Sequence, residues 1–169
     1  MGVTVALYPG SFDPFHLGHL SVVERAALLF DRLVIAVMSN PAKTGFLSID
    51  QRVALLERCT NHLGNVRCVS HDGLTVDAVA AERADLIVRA LGKEAAAEYE
   101  MAAMNVMVSG IRTIFVASEP TTARISSTVV RSMVAAGRLD KLSAVVPGPV
   151  SEVLRRARYS DMHGVVLDR

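Results

Sequence analysis

His16 and His19 flank Gly18 where the loop Pro9-Gly10-Ser11-Phe12-Asp13-Pro14 runs into a segment with one apolar helical face. A helix start of this kind gathers anions, because its first N–H groups lack partners and the peptide dipoles add there. Imidazoles at such a start donate hydrogen bonds to phosphate oxygens and add charge when protonated. Gly10 lets the backbone turn closely and leaves room for a phosphate. A His-x-x-His pair also serves as metal ligands, but no third ligand lies near it in the sequence. Two cations accompany the histidines. Lys43 lies in the loop Asn40-Pro41-Ala42-Lys43, and Arg89 ends an apolar strand, where a charge has little structural reason to be. Ser126, Ser127 and Thr128 suit the start of a further helix, where hydroxyls and N–H groups can hold phosphates. No Cys-His pair and no Gly-x-Ser-x-Gly points to a covalent nucleophile. The inventory suits chemistry at a phosphate, which needs positioning and charge neutralisation more than a general base.

Strands and helices must hold these residues. Short apolar runs at 3–8, 33–38, 66–69, 86–90 and 112–117 predict five strands. Helices are expected between and after them, at 20–30, 48–63, 74–83, 94–108, 127–136 and 150–157. Ser48 with Gln51 makes a capping box for the second of these. Strands that are apolar on both faces and alternate with helices imply an α/β fold. Its sheet is parallel, five-stranded, Rossmann-like and doubly wound, with helices at the C-terminal end. Ligands of such sheets bind outside the carboxyl ends of the strands, at the switch in strand order. That places the site at the loops after Tyr8, Met38, Arg89 and Ala117. Residues 1–158 read as a single domain. The tail, 159–169, has no clear period and either frays or packs on a partner subunit.

The 169 residues suit one domain, and 51% of them are apolar, enough for a full core. The net charge of +1 gives no field that would favour nucleic acid or a membrane surface. The three lysines and fifteen arginines lean towards phosphate and carboxylate recognition. Cys59 and Cys68 form no Cys-x-x-Cys and read as inert thiols of a reducing compartment. No secretory leader and no apolar run of spanning length is present, so a cytoplasmic protein is expected. Met101, Met104 and Met107 share one helical stripe and read as packing, against the core or a neighbouring subunit.

The motif Pro-Gly-Ser-Phe-Asp-Pro followed by His16-Leu17-Gly18-His19 resembles the HxGH nucleotidyltransferase superfamily. Within it, the chain is most similar to the phosphopantetheine adenylyltransferases. The resemblance continues through Asn40 to Lys43, Asp50 to Leu55, Glu98 to Met101 with Met104-Asn105, and Ile125-Ser126-Ser127-Thr128 with Arg131. It covers roughly residues 3 to 155. It implies a nucleotidyltransferase-type sheet and transfer of AMP from ATP to 4′-phosphopantetheine, giving dephospho-coenzyme A and pyrophosphate. It also implies Mg²⁺ held mainly by the nucleotide phosphates, a homohexamer, and feedback by coenzyme A. By the same resemblance His19 stabilises the transition state, and Lys43 and Arg89 bind the acceptor. Thr75 lies on the pantetheine path. Ser11 touches both nucleotide and acceptor phosphate. Phe12, His16, Glu100 and the stretch Thr122, Ala123, Arg124, Ile125, Ser126, Ser127 and Thr128 serve the nucleotide, as does the segment Ala90, Leu91, Gly92.

The chain departs from that pattern after the fourth strand. The family usually shows Arg-Gly-Leu-Arg where this chain has Arg89-Ala90-Leu91-Gly92. The second arginine, a nucleotide-phosphate contact, is missing, and loss of one charge-assisted hydrogen bond costs about 1.5–3 kcal/mol. Lys93 is adjacent to the gap, and Arg124 stands where it could restore the charge. Ala97 and Ala123 replace family aromatics. Two further readings follow. One is a paralogue that moves AMP or CMP to another phosphorylated small molecule. The other is a nucleotide-binding protein without catalysis. An aminoacyl-tRNA synthetase fragment is disfavoured by the short chain, and nucleic-acid binding by the near-neutral charge.

Overall fold

A computed structural model describes residues 2–39, 45–91 and 95–163. Five strands alternate with helices: β1 Val5–Gly10, α1 Leu17–Ala27, β2 Arg32–Ser39, α2 Ile49–Thr60, β3 Val66–Asp72, α3 Thr75–Glu82, β4 Leu86–Leu91, α4 Ala95–Ser109 and β5 Arg112–Ala117. Then come α5 Ser127–Ala135, a 3₁₀ helix Leu139–Ala144 and α6 Gly148–His163. The strand order is β3-β2-β1-β4-β5, and every pairing is parallel. The expected α/β sheet is present, with element bounds shifted by a few residues. Two segments differ. The 3₁₀ helix was not expected, and α6 carries the chain to His163, so 159–163 are helical rather than irregular.

The sheet separates two cores because side chains alternate along each strand. Ala6 and Tyr8 of β1, with Leu33, Ile35 and Val37 of β2, pack against Val22, Val23 and Ala26 of α1 and Leu55 and Leu56 of α2. Val130, Val134, Val150 and Leu154 complete that side from α5 and α6. Val5, Leu7, Val34, Ala36 and Ile87 face the other way, onto Ala78 and Val79 of α3. This second cluster is the smaller one. Burial raises the Cys59 and Cys68 thiols to about 11, which keeps them protonated and inert near neutral pH.

α2 begins as its sequence predicts. Ser48 Oγ accepts from Gln51 N at 3.2 Å, and Gln51 Oε1 accepts from Ser48 N at 3.0 Å. The neighbouring loop is tied down by Asp13, whose carboxylate accepts from Phe46 N at 2.7 Å and Leu47 N at 2.9 Å. Arg52 of α2 lies 3.3 Å from the same carboxylate and also donates to the carbonyls of Leu47 and Ser11. One buried ion pair therefore fastens the loop after β1 to the start of α2.

Candidate active site

Strand order reverses between β1 and β4, since β1 leads outward through β2 to β3 and β4 leads outward to β5. A cavity of about 380 Å³ opens beside this switch, within the size range of small-ligand sites. Four parts of the chain wall it: the start of α1, the ends of β4 and β5, Glu98 in the first turn of α4, and the stretch from Thr122 into α5.

The start of α1 has an unusual cap. His16 is its N-cap, and His16 Nδ1 accepts from His19 N at 3.3 Å. His19 Nδ1 accepts from His16 N, also at 3.3 Å. The two imidazoles thus form a capping box in which each ring uses Nδ1 as an acceptor. This bonding fixes the neutral tautomer with the proton on Nε2, leaving Nε2–H as the donor each ring can offer a ligand. Burial lowers the His16 imidazole to about 4. Burial also holds His19 well below its usual value, helped by the His16 ring when that is protonated and by the Arg89 guanidinium. Of the two contributions such imidazoles can make, the unliganded protein keeps the hydrogen bond without the charge: near neutral pH they are uncharged donors. Gly18 sits between them because a Cβ there would lie 2.9 Å from the Thr122 carbonyl oxygen and 3.0 Å from the His16 ring.

The opposite wall is the start of α5. Ser126 is the N-cap and accepts from Val129 N at 3.3 Å. Ser127 Oγ donates to the Pro14 carbonyl at 2.9 Å. Thr128 Oγ1 accepts from Arg131, whose other Nη donates to the Asp13 carbonyl at 2.6 Å. The three hydroxyls thus serve the cap and the tie to the first loop. Val129 N is thus taken, and the Ser127 and Thr128 N–H groups remain as donors for a phosphate. Two helix N-termini with their positive dipole ends consequently share one cavity.

At the end of β4, Ala90 and Leu91 line the cavity. Arg89 donates to the Pro9 carbonyl at 2.9 Å through Nη1, and its Nε and Nη2 form a fork onto both carboxylate oxygens of Glu98 in α4. Glu98 lines the cavity; Glu100 does not and is exposed. Two residues along a helix turn the side chain by about 200°, so both glutamates cannot face the same wall. The acidic wall of the cavity therefore comes from Glu98 rather than from the expected Glu100.

The remaining expected residues have these places. His16, His19, Ala90, Leu91 and the full stretch Thr122 to Thr128 come together on the cavity. Phe12 has φ 47° and is 2% exposed; its ring stands edge-on to Tyr8, Phe15 and His19. Its side chain is a support behind His19 and does not line the cavity, where the resemblance implies a part in holding the nucleotide. The ring also gives Gly10 a different reason to be glycine, because a Cβ there would lie 2.8 Å from Phe12 Cζ. Ser11 is exposed, and Thr75 begins α3; neither lines the cavity. Lys43 and Gly92 lie outside the described residues. Glu98, Gly18, Ser118 and Val129 line the cavity but were not expected there. The repeated acidic pattern Glu98-Tyr99-Glu100 held the signal for the first of them.

A cytidylyltransferase-like family model matches residues 7–133, a span that includes both helix starts of the cavity. Among solved structures, a Vibrio parahaemolyticus protein described as a nicotinate-nucleotide adenylyltransferase is similar at 20% identity and a TM-score of 0.64. The similarity covers 90% of this chain and 99% of that one. The lipopolysaccharide core biosynthesis protein of Thermoplasma volcanium GSS1 is similar at 23% identity and a TM-score of 0.51, over 70% of this chain and 98% of that one. These two likenesses concern the fold, a five-stranded parallel sheet of the nucleotidyltransferase type. The family match spans most of the sheet and both helix starts of the cavity, and the chain belongs to the cytidylyltransferase-like nucleotidyltransferases.

Proposed function

We propose that this protein transfers AMP from ATP to 4′-phosphopantetheine, giving dephospho-coenzyme A and pyrophosphate. The observation that carries the transfer chemistry is the convergence of two helix N-termini on one cavity at the switch in strand order. One brings His16 and His19; the other brings Ser126 to Val129. An acceptor phosphate oxygen attacks the α-phosphorus of ATP in line. The bond from that phosphorus to the oxygen bridging the β-phosphate breaks, and its electron pair leaves with pyrophosphate. Negative charge then moves towards the leaving group, where the N–H groups of α5 and the Nε2–H donors of the histidines suit it. Arg89 suits the acceptor phosphate, with Lys43 as its partner by resemblance. No general base is needed, since the attacking phosphate is already an anion.

Mg²⁺ fits this site as a passenger of the triphosphate. Among the described residues no cluster of three potential ligands exists, and the Glu98 carboxylate on the cavity wall is already engaged by Arg89. When bound, the ion would neutralise charge on neighbouring phosphate oxygens. None of the described helices is long and apolar enough to cross a membrane. The substrates proposed are small molecules; the proposal includes no nucleic acid or membrane as partner and takes the cytoplasm as the compartment.

The choice of acceptor rests on the likeness of residues 40–43 and 98–105 to the pantetheine enzymes. A homo-oligomer, hexameric by the same likeness, is part of the proposal. α4 supports it by exposing Tyr99, Met101, Met104, Val106, Met107 and Val108, an apolar surface that a neighbouring copy would cover. One observation favours a second reading. Ala90, on the cavity wall, stands where the pantetheine family keeps glycine, so another phosphorylated acceptor, or CTP as donor, fits a wall of altered shape.

Pyrophosphate release with Mg²⁺, ATP or CTP and 4′-phosphopantetheine, with products weighed by mass spectrometry, decides between them. Dephospho-coenzyme A from ATP, lost in His19→Ala, is the expected result. Turnover only with a different acceptor or with CTP supports the second reading. Nucleotide binding without pyrophosphate release from any acceptor would leave a binding protein.

A further inference from the structure

We propose that Glu98 is a latch: its carboxylate occupies the anion site of Arg89, and a phosphate monoester enters by exchanging for it. The inference rests on the reading that Arg89 receives the phosphorylated acceptor. Arg89 has five N–H donors arranged along two edges that can each grip an anion with two bonds. The Nε–Nη2 edge is filled by both oxygens of Glu98, and Nη1 is turned onto the Pro9 carbonyl. Three of the five donors are thus engaged, and a phosphate can take the Nε–Nη2 edge with two parallel bonds only if Glu98 leaves it. A carboxylate and a phosphate present the same pair of acceptor oxygens to the fork, so one can replace the other with little change in geometry.

The surroundings favour exchange over a permanent brace. Arg89 and Glu98 side chains are 28% and 19% exposed, and Glu98 borders the cavity, so water and ligand can reach the pair. In the unliganded protein the carboxylate neutralises a half-buried guanidinium, which would otherwise be costly to desolvate. An incoming phosphate restores that neutralisation as Glu98 withdraws. Glu98 also belongs to the first turn of α4, and its release unties that turn from β4. Arrival of the acceptor is thereby coupled to the position of a helix whose start flanks the cavity.

The test uses inorganic phosphate as the probe, with binding followed by calorimetry, so it does not depend on which acceptor is correct. Glu98→Gln keeps the shape of the side chain but removes its charge. Phosphate should bind about fivefold more tightly to this variant, the scale of a partly solvated ion pair. Replacing Arg89 with Ala in the Glu98→Gln background should abolish the gain. Glu98→Asp, too short to hold both donors, should give a smaller gain and guards against a folding defect in the first variant. In turnover assays the KM for the acceptor should fall while the KM for the nucleoside triphosphate stays unchanged, a split that a general loosening of α4 would not give. Unchanged or weaker phosphate binding by folded Glu98→Gln protein would make Glu98 a brace and overturn the latch, whatever the acceptor. A gain that survives Arg89→Ala would overturn it too, by placing the phosphate elsewhere. The choice of 4′-phosphopantetheine stands or falls separately, on turnover by the unmodified protein.

Discussion

His16 and His19 cap each other: each ring accepts the other's backbone N–H through Nδ1 at 3.3 Å, and the rings stack with centroids 3.6 Å apart. The pair both starts α1 and walls the cavity. Replacing His19 with Ala removes a donor for the developing charge and half of the capping box. Turnover should fall about 10²- to 10³-fold, the usual cost of one such donor. Stability should fall by only about 1 kcal/mol, as for a lost cap. Pyrophosphate release and urea denaturation on the same preparation separate the two effects. Undiminished turnover would remove His19 from the chemistry.

The depressed imidazoles make stability depend on pH. His16 titrates at about 4 in the folded protein and near 6.5 when unfolded. Between those values the unfolded chain binds a proton that the folded one refuses. Stability is therefore fully present above 6.5, declines as pH falls, and stops declining on this account below 4. A shift of this size corresponds to roughly 3 kcal/mol. His19, also lowered, acts in the same direction. Urea denaturation from pH 7.5 to 4.5 should show the decline. His16→Asn, which keeps a good N-cap without an ionisable ring, should show a shallower one.

Strands and helices could be read from the sequence because two-sided apolar runs and the Ser48–Gln51 box are local signals; the strand order, which places the switch between β1 and β4, is set by pairing between distant segments. The choice between Glu98 and Glu100 could not be read either. It depends on the rotation of α4 about its axis, which packing against β4 and β5 sets, and α4 is apolar nearly all round. Phe12 has the residue type of a ligand wall. Its φ of 47° turns the ring inward behind His19, and nothing in the local sequence marks that turn. The 3₁₀ helix Leu139–Ala144 is only six residues long, too short for a periodic pattern to show. The hydroxyls of Ser126, Ser127 and Thr128 were legible as a helix start, but the bond of Ser127 to Pro14, and that of Arg131, the partner of Thr128, to Asp13, span more than a hundred residues.

The Asp13–Arg52 pair should govern stability more than chemistry. Both residues are under 10% exposed, and Asp13 also accepts two backbone N–H groups. Asp13→Ala leaves a buried guanidinium without its counter-charge and two N–H groups without acceptors. A loss on the order of 3–5 kcal/mol is expected. Gly45→Ala should act on the same joint, because its Cβ would fall 1.6 Å from Arg52 Nη2 and push the guanidinium off the carboxylate. Denaturation midpoints of both variants check this. A change below about 0.5 kcal/mol in either, the level of an ordinary surface substitution, would show that the joint is dispensable.

Arg124 should be the triphosphate's missing cation. It lines the cavity between Thr122 and the start of α5, is exposed, and makes no ion pair or hydrogen bond with any described residue. Its guanidinium is thus uncommitted, unlike those of Arg52, Arg89 and Arg131, which hold backbone carbonyls. The sequence after β4 has Gly92 where the pantetheine family has an arginine, and Arg124 is expected to supply the missing charge. Arg124→Ala should raise the KM for the nucleoside triphosphate about 10- to 100-fold, the worth of a charge-assisted hydrogen bond. The KM for the acceptor should hardly move, because the proposal gives that substrate to Arg89 rather than to Arg124. Arg124→Lys should recover part of the loss, since it restores the charge but not the fork. A triphosphate KM within twofold of the unmodified protein would place Arg124 outside the phosphate path and leave the loss at Gly92 uncompensated from this wall.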